Sequence, residues 1–193
     1  MIFGKPEEFA LYVDTIEERS NEFNDLEGIS GIWLKNRLFV TNSGLISLQR
    51  DFENIIETAP QLIECSNLYM LNKLDILKEI LKKRFPNWCA NSDIEWEENT
   101  NEWLDIEETT QYDICLESCT MGNALSYYLF AIKNDDMVKI FMYIKSKEND
   151  FFNFETIVDS DVECVEISYK EFQTIIGQLE SFIKKSRIDI LGH

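Results

Sequence analysis

The chain has 193 residues, of which 45% are hydrophobic and 12% aromatic, so it can bury one substantial core. Its 36 Asp and Glu against 18 Lys and Arg give a net charge of −18, which repels nucleic acids and anionic lipids. These values predict one acidic domain over residues 1–193 and argue against direct binding of DNA, RNA or a membrane.

The N-terminus and the cysteines indicate the compartment. Charged residues appear from Lys5 onward, too early for a signal peptide, and no apolar run approaches the ~18 residues of a membrane span. Five cysteines form no CxxC pair, and the one histidine is His193. We therefore expect a cytoplasmic protein with free thiols and without metal or cofactor.

The first third of the chain predicts strands followed by a helix. Residues 9–16 are rich in strand-favouring side chains, and residues 32–40, framed by Gly28 and Gly31, read as one strand with an apolar face. After a turn and a short strand at residues 45–46, Ser47 is a suitable N-cap for a helix that Pro60 ends.

A second helix is predicted over residues 67–84, with its leucines at helical spacing on the inner face. Further on, residues 112–116 predict a strand, and residues 125–133 and 137–145 predict a β-hairpin. In its second strand Val138, Ile140, Met142 and Ile144 are expected to face the core.

The C-terminal part of the chain ends on a helix. The aromatic residues 151–154 are expected in a strand or at its edge, and residues 162–167 form the last predicted strand. Ser168 to Glu171 is a capping box that starts the closing helix. This order predicts an α+β fold, with a mainly antiparallel β-sheet and helices packed on one side.

An acidic segment around residues 93–117 dominates the middle of the chain. Between residues 85 and 132 there are ten carboxylates and no Lys or Arg. Aromatic side chains are interleaved among them, unlike in acidic tails, which are poor in aromatics. We predict that the acidic segment binds a cationic protein through Asp93, Glu95, Trp96, Glu97, Glu98, Glu102, Trp103, Asp105, Glu107 and Glu108.

Two other interpretations of the charge stay open. The acidic segment is also compatible with a solvated edge of an ordinary acidic domain. Alternatively, a second acidic strip provides the binding surface, and it contains Glu17, Glu18, Glu22, Asp25 and Glu27.

Catalysis is not expected. One terminal histidine leaves no Ser-His-Asp or Cys-His arrangement, and the chain has no glycine-rich phosphate loop and no HExxH motif. Paired carboxylates at Glu97-Glu98, Glu107-Glu108 and Asp135-Asp136 keep a carboxylate-based hydrolase as a minor alternative.

Several short motifs carry a family resemblance. Met1 to Pro6 followed by Phe9-Ala10, then Gly31 to Leu34 leading to a turn at Gly44, and a helix opening at Ser47, resemble the bacterial immunity proteins of polymorphic toxin and contact-dependent inhibition systems. The group called immunity protein 42 is the most similar, over about the first 60 residues and at the C-terminal helix.

The resemblance implies a cytoplasmic inhibitor that binds one toxin domain, with no catalytic residues of its own. Nuclease toxins have cationic active sites because they hold phosphates, and a polyanionic protein with projecting aromatic side chains is complementary to such a cleft. The alternative from another class is an acidic adaptor or regulatory protein that binds a basic cellular partner.

Overall fold

The computed structural model describes residues 1–17, 20, 25–40, 46–62, 64–84, 127–144 and 154–191. Within them, two antiparallel sheets combine with α-helices, and the predicted α+β class is confirmed. The strands are β1 (Ile2–Gly4), β2 (Phe9–Thr15), β3 (Glu27–Leu34), β4 (Arg37–Val40), β5 (Ile46–Ser47), β6 (Tyr127–Asn134), β7 (Met137–Ile144) and β8 (Val162–Ser168). The helices are α1 (Leu48–Thr58), α2 (Ser66–Tyr69), α3 (Lys73–Arg84) and α4 (Tyr169–Leu191), with short 3-10 helices at Ala59–Gln61, Phe154–Thr156 and Asp159–Asp161.

The first sheet has the order β1-β2-β3-β4, and β5 pairs with β3. The strand predicted at residues 9–16 is confirmed as β2, and the helix predicted after Ser47 is confirmed as α1. Gly28 and Gly31 lie inside β3 and do not frame it. β3 is therefore longer at its start than the sequence suggested.

The single strand predicted at residues 32–40 is wrong. A two-residue turn at Lys35 and Asn36 divides it into β3 and β4, which pair with each other. Both turn residues have positive φ, 50° and 64°, as in the type I′ turns that join tight hairpins. The turn shifts the alternation, so Leu38 and Val40 face away from the core instead of towards it.

The second sheet has the order β6-β7-β8. The hairpin predicted at residues 125–133 and 137–145 is confirmed, since Asn134 pairs with Met137 across a two-residue turn whose first residue has a φ of 48°. The last predicted strand, residues 162–167, is confirmed as β8. The strand predicted at residues 112–116 lies outside the described part of the chain.

The single helix predicted at residues 67–84 is wrong, because the chain is interrupted between α2 and α3. The Asn72 side chain accounts for the restart. Its Oδ1 accepts a hydrogen bond from the backbone N–H of Asp75 at 2.9 Å, which is the contact of a helix N-cap. Leu71, expected to face inward, lies in the interruption and is 36% exposed.

One hydrophobic core joins the two sheets and the helices α1 and α4. It contains Leu11 and Ile32 from the first sheet, Ile140 from the second sheet, Phe52 from α1 and Phe172 from α4. The helix α4 buries one apolar face, which includes Phe172, Ile176 and Leu179, and packs against β1, β2, β7 and β8. This core fixes which face of the first sheet is left towards solvent.

A second core covers the opposite face of the second sheet. Here α3 packs against Phe130, Phe141 and Tyr143, and the rings of Phe130 and Phe141 stack with centroids 5.4 Å apart. Val138, Ile140 and Met142 do face the first core, but their alternating neighbours are buried as well. β7 is therefore buried on both faces, a pattern that the alternation alone does not reveal.

The strand or strand edge predicted at residues 151–154 is wrong at the one position that is described. Phe154 begins a 3-10 helix, and its side chain is 5% exposed within the second core. Lys78 Nζ lies 5.4 Å and Lys82 Nζ 5.9 Å from the centre of its ring. The aromatic side chain is used in packing against α3.

Ser168 caps α4, as predicted, since its Oγ accepts a hydrogen bond from the backbone N–H of Glu171 at 3.1 Å. We expect Ser168→Ala to lower the free energy of unfolding by about 1 kcal/mol, because one N–H at the helix start loses its partner. Urea unfolding followed by circular dichroism measures the change. Gln173→Ala, at an exposed position in the same helix, is the control; equal losses in both variants would contradict the capping role.

Candidate partner-binding surface

The predicted acidic segment lies outside the described residues, from Asp93 to Glu108, so its ten partner-binding positions stay a prediction. Of the paired carboxylates, only Asp135 and Asp136 are described. They occupy the turn of the β6–β7 hairpin, and both are exposed. These two carboxylates therefore lie on a solvent-exposed turn.

The second acidic strip is partly described. Glu17, Asp25 and Glu27 lie where β2 ends and β3 begins, whereas Glu18 and Glu22 fall outside the described residues. A buried serine holds this connection together: Ser20 Oγ donates to the Ile16 carbonyl at 3.0 Å and accepts from the Glu27 backbone N–H at 2.9 Å. The carboxylates are thus attached to the rigid end of a sheet.

An apolar surface adjoins this acidic end. The alternation that points Leu11 and Ile32 into the core points their neighbours to the opposite side of the first sheet, which we call the outer face. Ile2 is 49%, Leu38 38% and Val40 40% exposed, which leaves large aliphatic groups in contact with water. The apolar residues of the outer face are Ile2, Tyr12, Ile29, Trp33, Leu38 and Val40.

Gly31 makes this surface continuous. It pairs in register with Tyr12 on one side and Val40 on the other, and it has no side chain of its own. A Cβ at Gly31 would lie 3.1 Å from Leu38 Cδ1 and 3.6 Å from Tyr12 Cδ1, so these side chains close over the glycine from both sides. The Trp33 indole N–H beside them is buried and has no hydrogen-bond acceptor among the described residues.

Five of the Lys and Arg side chains in the described residues form ion pairs within the fold. Lys5 Nζ lies 2.8 Å from Glu171 and 3.1 Å from Glu8, and Arg37 lies 2.6 Å from Glu163. Further pairs join Lys73 to Asp159, Lys82 to Glu79 and Lys184 to Glu180. Even if all 18 cations were paired one to one, half of the 36 carboxylates would keep an unbalanced charge.

Three side chains have clearly shifted pKa values, those of Lys5, Cys164 and Tyr69, and burial raises the pKa of the Tyr69 hydroxyl group. Hydrogen bonds to Glu171 and Glu8 raise the pKa of Lys5, which stays a cation. Burial raises the pKa of the Cys164 thiol, and the lysines around it offset this only in part. Cys164 is protonated at neutral pH, which is the inert state of a cysteine.

The described residues contain neither a metal-binding cluster nor a membrane-spanning helix. No group of three or more His, Cys, Asp and Glu side chains in this part of the chain is arranged to hold a metal ion. In the same residues, no helix combines the length and apolar character needed to cross a membrane.

The fold has a counterpart among solved structures. The crystal structure of CdiI from Burkholderia dolosa AUO158 superposes with a TM-score of 0.64, and the match covers 94% of this chain and 99% of that one. The two sequences are 20% identical, so this likeness establishes the fold alone. No match was found among curated proteins.

The sequence establishes the family. The profile of the family described as immunity protein 42 matches residues 1–182, nearly the whole chain. The chain therefore belongs to the immunity protein 42 family. The resemblance read from the first 60 residues and the last helix is confirmed, and it extends through the middle of the chain.

Sequence reasoning missed the outer face. The strand predicted at residues 32–40 puts Leu38 and Val40 on the same face as Ile32, whereas the turn at Lys35 and Asn36, which contains no glycine, puts them on the opposite face. The available signal was Asn36, since Asn adopts positive φ more readily than most residues. A turn at this position reverses which side of the sheet the following residues occupy.

Proposed function

We propose that this protein is a cytoplasmic, non-enzymatic inhibitor that binds a cognate toxin domain and blocks its activity. Membership of the immunity protein 42 family over residues 1–182 is the observation that carries the proposal. The shared core of the two sheets supports the further proposal that residues 1–193 act as one domain.

The charge of the chain supports a basic toxin, and a nuclease in particular. A nuclease holds phosphates with Lys and Arg, and a protein of net charge −18 offers carboxylates to the same groups. Electrostatic attraction of this kind raises association rates by roughly 10 to 10³-fold at low salt. Binding at such a cleft would exclude the nucleic acid substrate.

We further propose that the acidic segment supplies the main contact. Its carboxylates would replace substrate phosphates, and Trp96 and Trp103 would provide buried aromatic anchors. A buried carboxylate favours binding only where it meets a cation and hydrogen bonds, because an unpaired one costs several kcal/mol. This requirement makes one cognate toxin the expected partner.

Coexpression with the toxin domain encoded by the adjacent gene tests the proposal. We expect the two proteins to copurify as a stoichiometric complex, and we expect cells that carry this protein to survive expression of the toxin domain. Titration of the purified proteins by calorimetry gives the dissociation constant. Absence of both binding and protection would show that the proposed function is wrong.

A further inference from the structure

The outer face of the first sheet combines exposed aliphatic side chains with half-buried aromatic ones, on a protein that is otherwise strongly acidic. Exposed aliphatic groups at Ile2, Leu38 and Val40 adjoin Tyr12 and Trp33 across neighbouring strands. Single exposed apolar residues are ordinary, but a contiguous set on a rigid sheet indicates a contact surface. The same alternation that builds the core produces this surface.

Carboxylates border the outer face at one end. Asp14 is exposed and pairs in register with Ile29, and Glu27 lies two residues further on the same face. None of the ion pairs formed among the described residues involves Asp14, Glu17 or Glu27. The N-terminal ammonium group also lies at this end, where it donates to the Val13 carbonyl.

At the opposite end of the sheet, carboxylates are paired with cations. There Lys5 is bound to Glu8 and Glu171, and Arg37 is bound to Glu163 while its guanidinium lies 5.0 Å from the centre of the Phe39 ring. Among the described residues, the charge beside the outer face is therefore negative at the Asp14 end and largely balanced at the Lys5 end. A partner with exposed apolar side chains beside Lys or Arg is complementary to this arrangement.

We propose that the outer face of the first sheet is a second docking surface for the toxin domain, formed by residues other than those of the acidic segment. The inference rests on the proposed function, which supplies a cationic protein as the partner. Tyr12, Trp33 and Leu38 provide the apolar centre of the contact, and Asp14 and Glu27 meet cations at its rim. Nucleic acids and anionic membranes do not fit, because the same carboxylates repel them.

Charge substitution on the outer face tests the inference. The double variant Leu38→Lys/Val40→Lys is compared with Met70→Lys/Ile188→Lys, which makes the same change in net charge at apolar positions that are 79% and 69% exposed elsewhere. Affinity for the toxin domain encoded by the adjacent gene is measured by calorimetry. We expect the outer-face variant to bind about 30-fold more weakly or worse, and the control to lose less than about 3-fold.

A second variant with smaller changes separates an effect on binding from an effect on folding. Asp14→Asn/Glu27→Gln preserves side-chain shape, and we expect it to slow association several-fold at low salt and to reduce the salt dependence of the rate. Unchanged kinetics in this variant, together with equal affinities for the two lysine doubles, would overturn the inference and leave the proposed function intact. If the wild-type protein does not bind the toxin domain, the proposed function fails, and the docking surface fails with it.

Light scattering measures the oligomeric state and so tests whether the outer face binds a second copy of this chain instead of the toxin domain. If the wild-type protein is a dimer that Leu38→Lys/Val40→Lys converts to a monomer while toxin affinity stays unchanged, the outer face is a homodimer interface and the inference is wrong. The expected result is a monomer in both cases.

Discussion

Phe172→Ala is expected to lower the free energy of unfolding by about 3–5 kcal/mol and the melting temperature by roughly 10 °C. The Phe172 side chain is fully buried, and its ring centre lies 5.9 Å from that of Phe9. It therefore joins α4 to β2 within the core that the two sheets share. Its removal leaves a cavity that these packed elements cannot close.

The size of this effect is large compared with the net stability of a domain, which is about 5–15 kcal/mol. Guanidinium unfolding monitored by circular dichroism measures it, and Gln178→Ala on the exposed side of α4 is the control, with an expected change below about 0.5 kcal/mol. A loss of under 1 kcal/mol in Phe172→Ala would contradict the joint core, because the helix and the first sheet would then be held together by other contacts.

Reversal of four charges in the acidic segment is expected to weaken toxin binding roughly 100-fold or more, which corresponds to about 3 kcal/mol. The variant replaces Glu97, Glu98, Glu107 and Glu108 by Lys. Each substitution exchanges an attraction to a toxin cation for a repulsion, so both the association rate and its salt dependence are expected to fall. Calorimetry gives the affinity, and stopped-flow mixing at several salt concentrations gives the rate.

The control for this experiment carries the same change in net charge elsewhere. The control variant reverses four exposed carboxylates outside both acidic regions, by replacing Glu53, Glu64, Asp136 and Asp189 with Lys. If the acidic segment is the contact, this control retains most of the affinity. If instead reversal at Glu17 and Glu22 abolishes binding while reversal in the acidic segment does not, the second acidic strip is the binding site.

Sequence patterns within a few residues correctly predicted three of the elements. β2, the β6–β7 hairpin and the capped start of α4 each follow from side chains within a few residues: strand-favouring runs, a turn at Asp135, and Ser168 three residues before Glu171. Two of the wrong elements, the long strand and the long helix, each include a polar residue that acts on the backbone. Asn36 turns the chain and Asn72 caps a new helix.

Burial could not be predicted in the same way, because it depends on which elements meet. Phe141 and Phe154 read as outward-facing or edge residues until α3 is placed against them. The net charge predicted a cationic partner from composition alone, but composition does not say which carboxylates share a face. That the acids at Asp14 and Glu27 border an apolar sheet surface follows only from the register of β2 and β3.

The alternation in β2, β3 and β4 has a consequence for how such a protein can change. Leu11 and Ile32 pack in the core, while exposed residues such as Leu38 and Val40 lie on the other face of the same sheet. Substitutions at these exposed positions are therefore expected to affect the stability of the fold less than substitutions in the core. Recognition of a different partner protein can therefore evolve on the outer face of the first sheet while the inner face stays unchanged.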